Sequence, residues 1–138
     1  MTRPNEQYAY FSVTGDEPEA ITMALGLEPS SAWKKGERNE ATHYERKFSR
    51  WSLRSRLPDT DKLEDHIRDV LEQLAPHAEQ IRNLVDKLGM GEMTCVGHFH
   101  SSYPGFTLDR DMVAAMASMN LELDCDFYYL YSDRREDS

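Results

Sequence analysis

The chain has 138 residues, 39% of them hydrophobic and 30% charged, a length that argues for one domain able to bury a core without covalent staples. Its two cysteines, Cys95 and Cys125, exclude a disulfide framework, and no apolar run approaches the length of a membrane span. The formal net charge of −9 repels phosphate backbones at long range and so disfavours general nucleic-acid binding.

Residues 8–15 are rich in aromatic and β-branched side chains and stop at Gly15-Asp16, the pattern of a strand and a turn. Asp16 and Pro18 open a short helix with Ile21, Ala24 and Leu25 at helical spacing; Gly26 ends it and Pro29 prevents its resumption. Residues 30–41 are polar and irregular, with a turn at Lys34-Lys35-Gly36-Glu37. Residues 42–57 read as extended. Tyr44 and Phe48 share one parity and Trp51, Leu53 and Leu57 the other, so a bulge or break is expected near Ser49-Arg50. With Trp51 and Leu53 inward, Arg50, Ser52, Arg54 and Arg56 form an outward stripe.

After a loop at residues 58–61, Leu63, Ile67, Val70, Leu71 and Leu74 mark an amphipathic helix over 62–74. Pro76 suits the first turn of a second helix, carrying Ile81, Leu84, Val85 and Leu88 over 76–88. Residues 93–101 read as a strand. A helix from Leu108 places Met112, Ala115, Met116 and Met119 on one face, and residues 121–131 alternate as a half-buried strand. The expected domain is 1–131, with 132–138 a charged, disordered tail. The order β-α-β-α-(α)-β-α-β predicts an α+β fold. Its mainly antiparallel sheet comes from two strand-helix-strand units and is covered on one face by helices, including a long central helical segment. The first residues hold no apolar stretch of a secretory signal, so a cytoplasmic setting is expected.

The run Tyr10-Phe11-Ser12-Val13-Thr14-Gly15, then Ile21 with Leu25-Gly26-Leu27-Glu28-Pro29, then Trp33-Lys34-Lys35-Gly36-Glu37 and Trp51-Ser52-Leu53, resembles a bacterial family known as domain of unknown function 4279. Leu123-Asp124-Cys125-Asp126-Phe127-Tyr128 resembles that family's closing strand, with Phe127 where a shorter aliphatic residue is expected. The resemblance spans nearly the whole chain and implies a compact α+β domain of a bacterial or phage protein. It implies no substrate, cofactor or catalytic residue.

Two constellations invite chemistry. Residues two apart on a strand share a face, so His98 with His100 and Asp124 with Asp126 could converge on a divalent metal if their strands were neighbours. Two solvent-facing polar pairs are the plainer account, and no metal or other cofactor is favoured. Nucleophilic catalysis finds less support. Cys95 and His98 fall on opposite parities, Cys125 shares the apolar parity of Leu123 and Phe127 as a core residue, and no glycine-rich phosphate loop exists. The expectation is therefore a protein without intrinsic catalysis. Met112, Met116 and Met119 read as core, and His43, His66 and His77 as solvated.

The charge is unevenly spread. Residues 34–56 hold eight cations against three carboxylates, a net +5 that leaves −14 for the rest of the chain. Pairing of these cations with nearby acidic helices is the plainest account. Trp51 is core by parity, whereas Trp33 lies in a polar loop. Trp33, Lys34, Lys35, Arg50, Arg54 and Arg56 are the candidate contact residues. The leading functional reading is a non-catalytic module of the immunity or antitoxin kind, which holds a basic partner protein on an acidic surface that includes Glu64, Asp65 and Asp69. The alternative is a small-anion or nucleotide sensor with Trp33 as its stacking platform. A metal-dependent hydrolase using His98, His100, Asp124 and Asp126 stands third.

Overall fold

Strand β1 (Glu6–Thr14) shows why the chain layers as it does. Ala9, Phe11 and Val13 are buried on one side, while Tyr8, Tyr10 and Thr14 on the other are only half covered. A strand with that alternation needs an apolar layer on one face only. In a computed structural model, which describes residues 3–130, helices supply it. The elements in order are β1, α1 (Pro18–Leu25), β2 (Ser31–Trp33), β3 (Arg50–Arg54), α2 (Leu63–Leu74), a 3-10 turn (Ala75–His77), α3 (Ala78–Leu88), β4 (Gly91–Phe99), α4 (Arg110–Ser118) and β5 (Glu122–Tyr129). The expected disordered tail at 132–138 lies outside the described residues.

The five strands form one sheet in the order β2-β3-β1-β4-β5. The fold is α+β as expected, but the sheet is mixed. β1 pairs antiparallel with β3 and β4, and β2 antiparallel with β3, whereas β5 runs parallel to β4. The reason is the connection: helix α4 carries the chain back to the start of its strand, so the next strand points the same way. The two strand-helix-strand units are not equivalent in the sheet. The strands of each unit are neighbours, but β1 and β3 run antiparallel and β4 and β5 parallel.

The central helical segment forms as read, with Pro76 in the 3-10 turn between α2 and α3, where its missing N–H costs no helical bond. Leu63, Ile67, Val70 and Leu74 of α2 and Ile81 and Val85 of α3 pack with Phe11, Trp51 and Met93 of the sheet in one core. Each such burial contributes about 1.5–3 kcal/mol before entropy is counted. Met112, Met116 and Met119 belong to that core, as expected. Trp51 is fully buried, and its Nε1 donates to Thr22 Oγ1 at 3.0 Å. No helix among the described residues is long and apolar enough to cross a membrane.

Four local expectations are corrected. The extended stretch over 42–57 reduces to β3, and residues 42–49 are an irregular loop with Tyr44 and Phe48 exposed. Its backbone bonds close on themselves, Asn39 N–H to Tyr44 O at 2.8 Å and Gly36 N–H to Arg46 O at 2.8 Å. The parity switch at Ser49-Arg50 is therefore the start of the strand. Cys125 is exposed, because β5 is an edge strand whose helix-side residues are only partly covered; its sulfur lies 3.8 Å from that of buried Cys95. His66 is fully buried. Arg56 lies past the end of β3 and leaves the outward stripe to pair with Asp69.

Gly97 of β4 sits beneath the ring of Phe99, which folds back over it into a cluster with Tyr103, Phe127 and Tyr129. A Cβ there would overlap that ring, and Phe99 is itself buried. Gly97→Ala should destabilise the protein by about 1–3 kcal/mol, measured by urea denaturation, as overpacking in a closed core does. A change within 0.5 kcal/mol would show that the aromatic cluster yields freely.

Candidate functional site

The face of the sheet opposite the helices is assembled by register. Tyr10 stands opposite Arg54 on one side and Thr94 on the other, Ser12 opposite Ser52 and Glu92, and Trp33 opposite Arg50. Strand parity sends all these side chains the same way. Tyr8, Tyr10, Trp33, Arg50, Ser52 and Arg54 thereby line an open hollow of about 290 Å³, with Ser30 and Ser31 at its rim. The Tyr8 and Tyr10 rings are near-parallel, with centroids 6.3 Å apart.

Three of the six sequence-nominated contact residues meet here, and each is held differently. Trp33 is half-buried and anchored by its Nε1, which donates to Phe48 O at 3.1 Å; Arg46 lies 3.8 Å from the ring centroid. Arg54 lies 3.8 Å over the Tyr8 ring and pairs with Asp59 at 3.0 Å. Arg50 reaches between the rings, its guanidinium carbon 5.7 Å from Tyr10 and 5.9 Å from Trp33, and donates to Ser12 Oγ at 3.2 Å. Its Nε is buried without an acceptor, and among the described residues no carboxylate pairs with it. Burial opposes the phenolate of Tyr8 and raises its pKa, although Arg54 pulls the other way, so the ring stays a neutral donor and stacking surface.

The other three nominated residues stand apart. Lys34 pairs with Glu19 at 3.4 Å, and the Lys35 backbone N–H donates to Ser49 Oγ. Arg56 makes a forked contact to Asp69 of α2, with its Nη2 at 2.7 Å and its backbone N–H at 2.8 Å from the carboxylate. Burial alone would raise the Asp69 pKa, but the Arg56 bonds and charge, with the Gln73 amide, bring it down. Asp69 is only 7% exposed, so it belongs to this tie and not to an open acidic surface.

The residues of the metal reading are not gathered. His98 stacks on Tyr128 at 5.0 Å on the helix-free face, and Asp126 accepts from the Tyr128 hydroxyl at 3.0 Å. His100 lies past the end of β4, with its Nε2 3.6 Å from Glu6. Among the described residues no group of three or more His, Cys, Asp or Glu is placed to hold a metal ion. Two features escaped the sequence reading. Tyr8 and Tyr10 were legible as aromatics on the parity opposite the core, but were counted only as strand formers. Ser55 and His66 share a 2.7 Å hydrogen bond, a contact between residues 11 apart that no motif announces. Ser55 also accepts the Ala9 N–H at 3.3 Å, and both side chains are buried, so the pair ties β1 and the end of β3 to α2 and meets no substrate.

The class that fold and site define is an α+β domain with a one-sided mixed sheet, whose uncovered face carries a cation–aromatic hollow. Residues 5–130 match the family model described as Domain of unknown function (DUF4279), and the chain belongs to that family. No curated protein and no solved structure matches it.

Two outcomes follow from the ties to α2. Burial lowers the His66 pKa, and the opposing influences of the Pro58 carbonyl, Asp61 and Asp59 offset this only in part. The unfolded chain then binds the proton more readily, so stability is complete above about pH 6.5 and falls as pH drops through the folded-state value. Urea midpoints measured from pH 8 to 5 should show that decline, and His66→Asn should flatten it; equal slopes would refute the assignment. Asp69→Ala strands the Arg56 N–H and should cost about 1–3 kcal/mol in the same assay.

Proposed function

We propose that this domain binds a small ligand in which a flat ring is joined to an anionic group, of the nucleotide kind, on the helix-free face of the sheet. One observation carries the reading: Arg50 is held among Tyr10, Trp33 and Ser12 with no carboxylate partner among the described residues. A partly buried guanidinium keeps a desolvation cost that cation–aromatic contacts offset only partly, and an incoming anion would complete its bonding. The tyrosine and tryptophan rings give the ligand's plane something to lie on, and Ser52 adds a hydroxyl.

The reading as a partner-protein module draws less support from α2. Asp65 is bonded to Arg68, Asp69 to Arg56, and Glu64 accepts from the Thr107 N–H. What favours it as a second reading is β5, an edge strand with exposed Glu122 and Asp124, whose charge would attract a basic partner.

Tryptophan fluorescence separates the two. Trp51 is fully buried, so a ligand on the sheet face should be reported by Trp33. Titration with AMP and GMP should quench it. Arg50→Ala should weaken binding by about tenfold or more, the usual loss for a charge-assisted hydrogen bond. Glu122→Lys with Asp124→Lys should leave nucleotide binding in place. Saturating nucleotide that moves neither the fluorescence nor the melting temperature would overturn the reading.

A further inference from the structure

We infer that Glu92 limits the ligand to one phosphate, so that the site takes a nucleoside monophosphate and rejects the di- and triphosphate. This rests on the ligand reading above and adds its charge limit. Arg50 borders two hollows. One is the ring-lined hollow already described. The other, of about 210 Å³, is bounded by Ser12, Val13, Thr14, Phe48, Met90 and Glu92. A phosphate on the Arg50 guanidinium lies beside Ser12, to whose hydroxyl the Arg50 side chain already donates a hydrogen bond.

A longer phosphate chain has two ways to run along β1. Away from the rings it enters the second hollow, where Glu92 stands directly across the register from Ser12. Among the described residues no cation pairs with the Glu92 carboxylate, so its charge meets the added phosphate unneutralised. Toward Tyr8 it meets Arg54, whose charge is already shared with Asp59. Along β1 the face thus offers Arg50 as a cation without a carboxylate partner among the described residues, flanked by a carboxylate on the side where a second phosphate would extend. Like charges a few ångströms apart near a protein surface repel strongly enough to change affinity by about tenfold or more. The same charge pattern disfavours a nucleic-acid strand. A chain crossing from β3 to β5 would pass Glu92 and then Asp124 and Asp126, which parity puts on the same face.

The test is a fluorescence titration at fixed ionic strength with chelator present, using AMP, ADP, ATP, inorganic phosphate and a 5′-phosphorylated dinucleotide. The wild-type protein should bind AMP at least tenfold more tightly than ADP or ATP. Glu92→Gln should raise ADP affinity about tenfold and leave AMP within twofold. Glu92→Ala should do the same, with melting curves confirming that both variants fold. ADP binding the wild type as tightly as AMP, or a Glu92→Gln variant with an unchanged AMP-to-ADP ratio, overturns the charge limit while leaving the ligand reading standing. A dinucleotide that binds more tightly than AMP also overturns it. Inorganic phosphate binding as tightly as AMP removes the role of the rings, and no response to any nucleotide removes both proposals.

Discussion

Helices cover one side of the five-stranded sheet, and every residue on the other side must find its own terms with water. On β1 the two regimes lie one residue apart. Phe11 packs edge-on against Trp51 at 6.0 Å inside the core, while Tyr10 beside it faces outward with Arg50 nearby. An antiparallel register that pairs Phe11 with Leu53 and Val13 with Trp51 necessarily lines Tyr10 up with Arg54 and Ser12 with Ser52. The hollow is thus a by-product of the same alternation that builds the core, and a one-residue slip would destroy both.

The polar ties at the far end of β3 decide which cations are left for a ligand. Arg54 is held by Asp59, Arg56 by Asp69, and Ser55 between them bonds to His66. These contacts pin the chain to α2 and to the loop before it as it leaves the sheet, and in doing so they occupy two of the three arginines of the basic stripe. Arg50, at the other end of the strand, has among the described residues a hydroxyl and two rings and no carboxylate. The loop at residues 34–49 completes the wall through the Phe48 carbonyl, which fixes Trp33. Three arginines that read as one basic stripe are, in the fold, two ion pairs and one guanidinium without a carboxylate partner among the described residues.

Much of the architecture was legible because burial is written in periodicity. The helix stripes from Leu63 to Leu74 and from Ile81 to Leu88, the capping Gly26 and Gly89, and the inward Trp51 and Leu53 all follow from spacing and backbone preference. Trp33, Arg50 and Arg54 could be nominated from composition. Periodicity could not reveal that β5 would run parallel beside β4 at an edge, which exposes Cys125 despite its apolar parity. Nor could it show that His66, on a polar-looking turn of α2, would be sealed inside by Ser55.

By itself, then, the sequence determined which residues point inward along each element, because hydrophobic spacing and turn chemistry act over a few residues. Only the tertiary structure decided which outward residues meet. Glu92 and Ser12 are 80 positions apart and become neighbours through strand register, and Asp69 reaches Arg56 only when α2 packs on the sheet. Charge pairing depends on distance in space, and a linear pattern carries no information about that distance until the strands are in order.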